Sequence, residues 1–142
     1  MKSYEYEQQA AAFLKRANAR MTISYTRTVK GFPFDEHDRN MHDEYTIRIF
    51  RDGRSYSFKF YNSAYATMNG ERPTKYDVLA CVEKYPSYCR DEWEFADEYG
   101  YTIECKKDFE KVRRIFNACE KQYRKLLALF GEELMEELQE IA

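Results

Sequence analysis

Several patterns that mark enzymes and metal proteins are missing from this sequence. It contains no glycine-rich phosphate loop, no Gly-x-Ser-x-Gly elbow and no His-Glu-x-x-His pair. Its four cysteines form no Cys-x-x-Cys pair, so a zinc site of the usual spacing is not expected, and most fall at positions that suit buried thiols. We therefore predict a protein that is not an enzyme, has no catalytic residues and uses no cofactor.

Long apolar runs and a dominant charge of one sign are also missing. No run approaches the roughly 18 apolar residues that cross a bilayer, and the polar N-terminal segment MKSYEYEQQ does not resemble a signal peptide. The formal net charge of −2 gives no general attraction to nucleic acid or to a membrane. These features predict a cytoplasmic protein that keeps its cysteines reduced.

Aromatic residues are abundant instead, at 17% of the chain, and tyrosine leads them with 13 copies. Tyrosine combines a large contact area with a polar tip, so this surplus suits either a core or a binding surface. A chain of 142 residues is typical of one domain. We predict a single domain over residues 1–142, in which residues 1–68 form a helix and a sheet and residues 69–142 form a helical half.

The strongest local signal is a β-hairpin over Glu44–Tyr61. Asp52-Gly53 is a type I′ turn dipeptide between two alternating runs. If Arg51 pairs with Arg54, the apolar side chains of both strands share one face, as the pairs Ile49 with Tyr56, Ile47 with Phe58 and Tyr45 with Phe60. The opposite, outer face is then polar. A slip of one residue would bury that polar set, so the pattern fixes the register.

A helix and another strand are predicted before the hairpin. Ser3 can cap a helix that ends near Asn18 and has an apolar stripe made of Tyr6, Ala10, Phe13, Leu14 and Ala17. Residues 21–30 alternate, which predicts a strand with Met21, Ile23, Tyr25 and Val29 on its buried side. Residues 31–43 are predicted to form a loop.

The helical half begins at Asn69–Tyr85, where an Asn-Gly turn precedes Thr74 as a helix N-cap and Asp77 as its capping-box partner. Pro86 is expected to end this helix near Tyr85. Three more helices are predicted, namely Tyr88–Tyr99 capped by Ser87 and closed by Gly100, Glu104–Phe130, and Glu132–Ile141. The first of these is predicted to bury Tyr88, Trp93 (or Glu92), Phe95, Ala96 and Tyr99. The fold class is therefore α+β: a three-stranded antiparallel sheet with a leading helix, and about four C-terminal helices packed on it.

Two basic surfaces are candidates for binding. The outer face of the hairpin mixes phosphate-binding and base-stacking side chains, namely Arg48, Phe50, Lys59 and Tyr61. The long helix has a basic face made of Lys106, Lys107, Lys111, Arg113, Arg114, Lys121, Arg124 and Lys125. Packing against the first helix would explain the first surface without a function. Ion pairing with the acidic neighbouring helices, or simple solvation, would explain the second.

The predicted loop contains both histidines of the chain. His37 and His42 lie among four acids, Asp35, Glu36, Asp38 and Asp43, which is a composition that could bind a divalent metal. The spacing matches no known metal motif, and a loop is a poor place to hold ligands rigidly. We therefore predict a solvated loop and no metal site.

The segment NGERPTKYDVLACVEKY (residues 69–85), the later Glu98-Tyr99-Gly100-Tyr101 and the ending LFGEELMEELQEI resemble a family of small uncharacterised proteins carried by prophages, plasmids and integrative elements of Firmicutes. The likeness extends from about Phe13 to the C-terminus and includes MTISY and RDGRSYSFKFYNS. The chain departs from the family pattern after Tyr85, where PSYCRDEW replaces an expected Asp-Pro-Gly turn. The family has no assigned activity and provides no catalytic residues.

The resemblance implies an accessory protein of a mobile element, and such proteins often act on host defence. It leads us to expect non-catalytic binding to a host defence protein, most specifically an anti-CRISPR inhibitor of a Cas effector or its ribonucleoprotein. The expected partner-binding residues are Arg48, Lys59, Tyr61, Glu71, Arg72, Lys75, Lys107, Lys111 and Arg114. The alternative is a nucleic-acid or nucleotide-binding regulator of the element. The amphipathic C-terminal helix would also allow a homodimer.

Overall fold

The computed structural model describes residues 3–31, 39–64, 72–81 and 89–141. A three-stranded antiparallel sheet of order β1-β2-β3 follows one helix and precedes the other described helices, which confirms the predicted α+β class. The elements are α1 (Ser3–Arg16), β1 (Ala19–Lys30), β2 (Met41–Arg51), β3 (Arg54–Ser63), α2 (Lys75–Ala80), α3 (Glu92–Tyr99), α4 (Lys106–Phe130) and α5 (Glu132–Gln139).

The predicted stripe of α1 forms its buried side. Ala10, Phe13 and Leu14 are buried because their three- and four-residue spacing places them on one side of the helix. Asn18, at a φ of 52°, is in the left-handed region just after α1, as its predicted role as a stop requires. The turn directs the chain straight into β1, so α1 packs on the sheet that follows it.

The hairpin has the predicted turn and register. Asp52 and Gly53 both have positive φ, at 52° and 75°, as a type I′ turn requires. Arg51 lies opposite Arg54, and all three predicted apolar pairs are present. Tyr45, Ile47 and Ile49 are buried and their partners on β3 pack against the same core, so the core face and the outer face of the sheet are the predicted ones.

A β-bulge makes one prediction for β1 wrong. The register with β2 shifts between Tyr25 and Arg27, so that Thr26 is an extra residue in the ladder. An extra residue reverses the alternation beyond it. Val29 therefore lies opposite His42, on the outer face and not on the core face, and Tyr25 remains 53% exposed.

The loop before the hairpin is shorter than predicted. β2 begins at Met41, so His42 and Asp43 are paired strand residues and not part of a loop. Asp43 is buried and accepts a hydrogen bond from the Thr28 hydroxyl at 2.6 Å. Asp35, Glu36, His37 and Asp38 lie outside the described residues.

The capping box of α2 is confirmed. The Thr74 hydroxyl accepts from the backbone N–H of Asp77 at 3.2 Å, and the Asp77 carboxylate accepts from the backbone N–H of Thr74 at 2.9 Å. The helix ends at Ala80, earlier than predicted, and the residues from 82 to Pro86 lie outside the described part. Val78 and Leu79 are buried and attach α2 to the sheet core.

The start of α3 differs from the prediction. Its N-cap is Asp91, which accepts from the Glu94 N–H at 2.9 Å, whereas Ser87 and Tyr88 lie outside the described residues. Phe95 and Ala96 are buried, but Trp93 is 58% exposed and lies 5.8 Å from Phe109 between ring centroids. Two residues correspond to about 200° around a helix, so Trp93 and Phe95 cannot both point inward. Gly100 ends α3 in the left-handed region, as predicted.

The long helix α4 belongs to two hydrophobic clusters. Its N-terminal half packs with α3 through Val112, Ile115 and Phe116. Its C-terminal half packs with α1, α2, α5 and the core face of the sheet through Leu126, Leu129 and Phe130. This packing is on the core face, and at the edge strand β3 two residues of the outer face, Lys59 and Tyr61, line a cleft with residues of α3 and α4.

Candidate binding surface on the outer face of the sheet

Alternation along the three strands places their polar side chains in rows across the outer face. The strand register defines four rows: Arg20–Phe50–Ser55, Thr22–Arg48–Ser57, Ser24–Thr46–Lys59 and Arg27–Glu44–Tyr61. Most of these side chains are exposed, and Phe50, Thr46 and Tyr61 are half-buried. These twelve residues, hereafter the outer face, are therefore an accessible surface and not a packing surface for α1.

The outer face combines cations with hydroxyl groups. It holds four cations, Arg20, Arg27, Arg48 and Lys59, against the single acid Glu44. Five serine and threonine hydroxyls and the Tyr61 phenol occupy most of the remaining positions. Because the whole chain is slightly acidic, this excess of positive charge is local to one surface.

Glu44 is the one buried residue of the outer face, with 4% of its surface exposed. Its carboxylate accepts from the Tyr61 hydroxyl at 2.9 Å and from Arg27 Nε at 3.2 Å, and Lys59 Nζ lies at 4.0 Å. The Tyr61 hydrogen bond is the largest of the effects that lower the pKa of Glu44, and Arg27 adds to it although desolvation opposes both. Glu44 is therefore ionised and already neutralised by its neighbours.

Tyr61 is held in its protonated form by the same network. Burial, followed by the hydrogen bond to Glu44, raises the pKa of Tyr61 to about 12. A phenol with this pKa donates a hydrogen bond at neutral pH and does not act as a nucleophile or base. Tyr61 is therefore a hydrogen-bond donor to Glu44 in this row at neutral pH.

Other side chains of the outer face are fixed by their neighbours. Lys59 Nζ donates to Thr46 Oγ1 at 2.8 Å, and the guanidinium of Arg20 lies over the ring of Phe50, 4.8 Å from its centroid. Arg48, in the second row, is exposed and has no ion-pair partner among the described residues. Arg48 is therefore the cation of this face that is most available to a partner.

The structure groups only some of the predicted partner-binding residues. Arg48, Lys59 and Tyr61 share the outer face. Arg72 and Lys75 are exposed at the start of α2, and Glu71 lies outside the described residues. Lys107, Lys111 and Arg114 follow one side of α4 in its N-terminal half, and no described contact joins them to the outer face.

Three arginines near the hairpin turn were missed as candidates. Arg51 donates from Nε to the Ala17 carbonyl at 2.8 Å and from Nη1 to the Leu129 carbonyl at 2.9 Å. Arg54 donates from Nη1 to the carbonyl of Ala128 at 3.0 Å. Two signals could have revealed Arg51 and Arg54: like charges directly opposite each other need a shared acceptor, and the last carbonyls of a helix need donors. Arg20, stacked on Phe50, gave no comparable signal.

Neither a metal site nor a membrane helix is found in the part of the chain that the structure describes. No cluster of three or more His, Cys, Asp or Glu side chains there could hold a metal ion. Within residues 3–31, 39–64, 72–81 and 89–141, no helix is both long and apolar enough to cross a membrane.

Comparison with known proteins identifies no relative. No protein-family model matches the sequence, and no match was found among curated proteins or solved structures. Function therefore has to be inferred from the residues and their arrangement.

Proposed function

We propose that this protein acts by non-catalytic binding and that the outer face of the sheet is its main contact surface. The observation that supports this most directly is the local excess of four cations over one neutralised acid on an accessible sheet face. Charge complementarity of this kind increases association rates and selects partners by sign. The partner is then expected to present an acidic or phosphate-bearing surface.

The size of the outer face adds a condition. Three strands at a spacing of about 4.8 Å and four rows at about 6.8 Å cover roughly 400 Å², whereas a stable interface buries about 800 Å² on each partner. Neighbouring surfaces must therefore contribute. Arg72, Lys75, Lys107, Lys111 and Arg114 belong to the helical layer and not to this face, and we propose them as a second contact surface because they are accessible or half-accessible.

The resemblance to proteins of mobile elements provides the cellular setting of the proposal. An accessory protein in the cytoplasm of a bacterial host that binds a defence protein can inhibit it by covering its working surface. A Cas effector is the specific partner that we propose, since such a ribonucleoprotein carries phosphate groups that a basic face can match. Direct regulation of the element through nucleic-acid binding is the alternative.

Affinity capture with purified Cas effectors tests this proposal. The wild-type protein should retain an effector and inhibit its cleavage of target DNA. Arg48→Glu should weaken capture at least about tenfold, because a central cation becomes a like charge toward the partner. Lys15→Glu, an equal charge change at an exposed position of α1, is the matched control.

Two results would count against the proposal. If the protein captures none of a broad set of Cas effectors, then Cas effectors are not its partners. Equal capture by the wild type and by Arg48→Glu would remove the outer face as the contact surface. Binding of naked oligonucleotides that Arg48→Glu abolishes would favour the nucleic-acid alternative.

A further inference from the structure

Two open crevices lined by basic side chains are present, one at the hairpin end of the sheet and one on the C-terminal half of α4. The first has a volume of about 490 Å³ and is lined by Arg20, Arg51 and Arg54 with the ring of Phe50. The second has a volume of about 390 Å³ and lies along α4, where Lys121, Arg124 and Lys125 line it.

A hydrogen bond joins the two crevices. Arg54 lines the first and Ala128 lines the second, and Arg54 Nη1 donates to the Ala128 carbonyl at 3.0 Å. One lining residue of each crevice is therefore bonded to the other, and we call the two crevices together the hairpin crevice. Its six cations come from β1, the hairpin and α4, which are distant in sequence.

The acids that line the hairpin crevice do not cancel its charge. They are Asp52 and Glu120, against six cations. Asp52 lies 3.5 Å from Arg51, and Glu120 lies 3.9 Å from Arg124, so each acid offsets about one cation. In a chain with a net charge of −2, this is a strongly positive concave region.

Two of the arginines are fixed in position before any ligand binds. Arg51 and Arg54 each use two N–H groups on backbone carbonyls, including that of Leu129 at the end of α4. A guanidinium has five N–H donors, so each of the two arginines keeps three donors that these bonds do not use. Because the two guanidinium groups are already held in place, a ligand that binds them loses less free energy to the ordering of side chains.

We propose that the hairpin crevice binds the phosphate groups of a single nucleic-acid strand. Arginine forks match phosphate oxygens in pairs, and lysines add compact positive charge. Two basic crevices linked by a hydrogen bond fit an anion that repeats along a chain better than they fit an isolated carboxylate. Phe50 with Arg20 at the rim provides an aromatic and cationic surface of the kind on which bases stack. This site shares Arg20, Phe50 and Ser55 with the outer face, but its other five cations lie outside that face, and the proposal does not depend on the proposed function.

Fluorescence anisotropy with labelled oligouridine and oligothymidine tests the proposal over a series of salt concentrations. The test variant combines Lys121→Glu, Arg124→Glu and Lys125→Glu, which leaves Arg51 and Arg54 on their carbonyls. The matched control combines Lys15→Glu, Lys106→Glu and Arg113→Glu, at exposed positions of α1 and α4 with the same charge change. Circular dichroism checks that both variants are folded.

The test variant should lose affinity by more than about tenfold, and its log–log salt slope should fall by about 2, at about 0.7 for each lost phosphate contact. The control should stay within about threefold of the wild type, because its charges lie outside the crevice. Arg20→Glu changes a cation of the first crevice. It should also weaken oligonucleotide binding, independently of the three substitutions in the second crevice.

Three results would overturn the proposal. These are no binding by the wild type at low salt, equal losses in the test and control variants, and equally tight binding of polyglutamate, which would show that phosphate is not what the crevice recognises. Arg48→Glu separates this site from the proposed contact surface, since it should leave oligonucleotide affinity nearly unchanged.

Discussion

Tyr61 on the edge strand β3 donates a hydrogen bond to Glu44 on the central strand β2, with 2.9 Å between the two oxygen atoms. The bond links two strands across the outer face, and it shields the only acid of that face from solvent. Because Arg27 and Lys59 approach the same carboxylate, the acid organises the cations around it. The positive charge that remains available to a partner is concentrated toward Arg48 and Arg20.

Replacing Tyr61 by Phe should raise the pKa of Glu44, because the hydrogen bond from Tyr61 is the largest effect that lowers it. A pKa that is lower in the folded state than in the unfolded state stabilises the fold at pH values above the ordinary pKa of 4.5. This stabilisation is lost as the pH falls through the pKa of the folded state. Tyr61→Phe should therefore make acid unfolding less steep and lower stability at neutral pH. Carboxyl NMR titration and urea unfolding at several pH values measure both effects.

Tyr25→Phe is the control for that experiment. The Tyr25 hydroxyl contacts the hydroxyl of Thr28 at 2.6 Å on an exposed part of β1. If the pKa of Glu44 is unchanged in Tyr61→Phe, the hydrogen bond from Tyr61 does not lower that pKa.

Alkaline pH should destabilise the fold through Tyr61. Its pKa of about 12 lies above the ordinary value of 10.0, so the folded state retains a proton that the unfolded state releases. Stability is then complete below about pH 10 and declines as the pH rises toward 12. The difference in tyrosinate absorbance between the wild type and Tyr61→Phe isolates this one ring. A step near pH 10 in that difference would contradict the raised pKa of Tyr61.

Arg51→Met should destabilise the protein by about 2 to 4 kcal/mol, since it removes two charge-assisted hydrogen bonds to the carbonyls of Ala17 and Leu129. These bonds attach the α1–β1 turn and the end of α4 to the hairpin. Arg48→Met, on the exposed outer face, should change stability by less than about 0.5 kcal/mol. Chemical denaturation measures both, and equal effects would mean that the bonds at the helix end contribute nothing.

Thr74→Ala should cost about 1 kcal/mol, because it removes the side-chain acceptor that caps α2. The helix has only six residues, so the loss should be seen first as faster amide exchange in residues 75–80. Thr102→Ala, at an exposed position outside the helices, should leave exchange and stability unchanged. Slow exchange retained in Thr74→Ala would mean that packing alone holds α2.

The hairpin and the helix signals were predictable because each depends on neighbours in sequence. Asp52-Gly53 determines the turn, and the turn together with two-residue alternation determines every pair between β2 and β3. The stop at Asn18 and the capping box of Thr74 are equally local. For the same reason, Arg48, Lys59 and Tyr61 could be assigned to one face from the sequence.

The errors occurred where a distant strand or helix decided the outcome. The bulge at Thr26 is a property of how β1 pairs with β2, and it moved Val29 to the outer face. His42 became a strand residue because β1 and β3 both pair with it. Trp93 and Phe95 were both expected to be buried, but they lie about 200° apart around α3, and only Phe95 faces the core.

By itself, the sequence determined the α+β class, the hairpin register and the polar character of the outer face, because periodicity and turn residues act over a few positions. Only the tertiary structure decided which charges act together. It buried Glu44 under Tyr61, and it placed Arg54 against Ala128, 74 residues further along the chain. Electrostatic sites depend on distances in space, and packing of the helices against the sheet sets those distances.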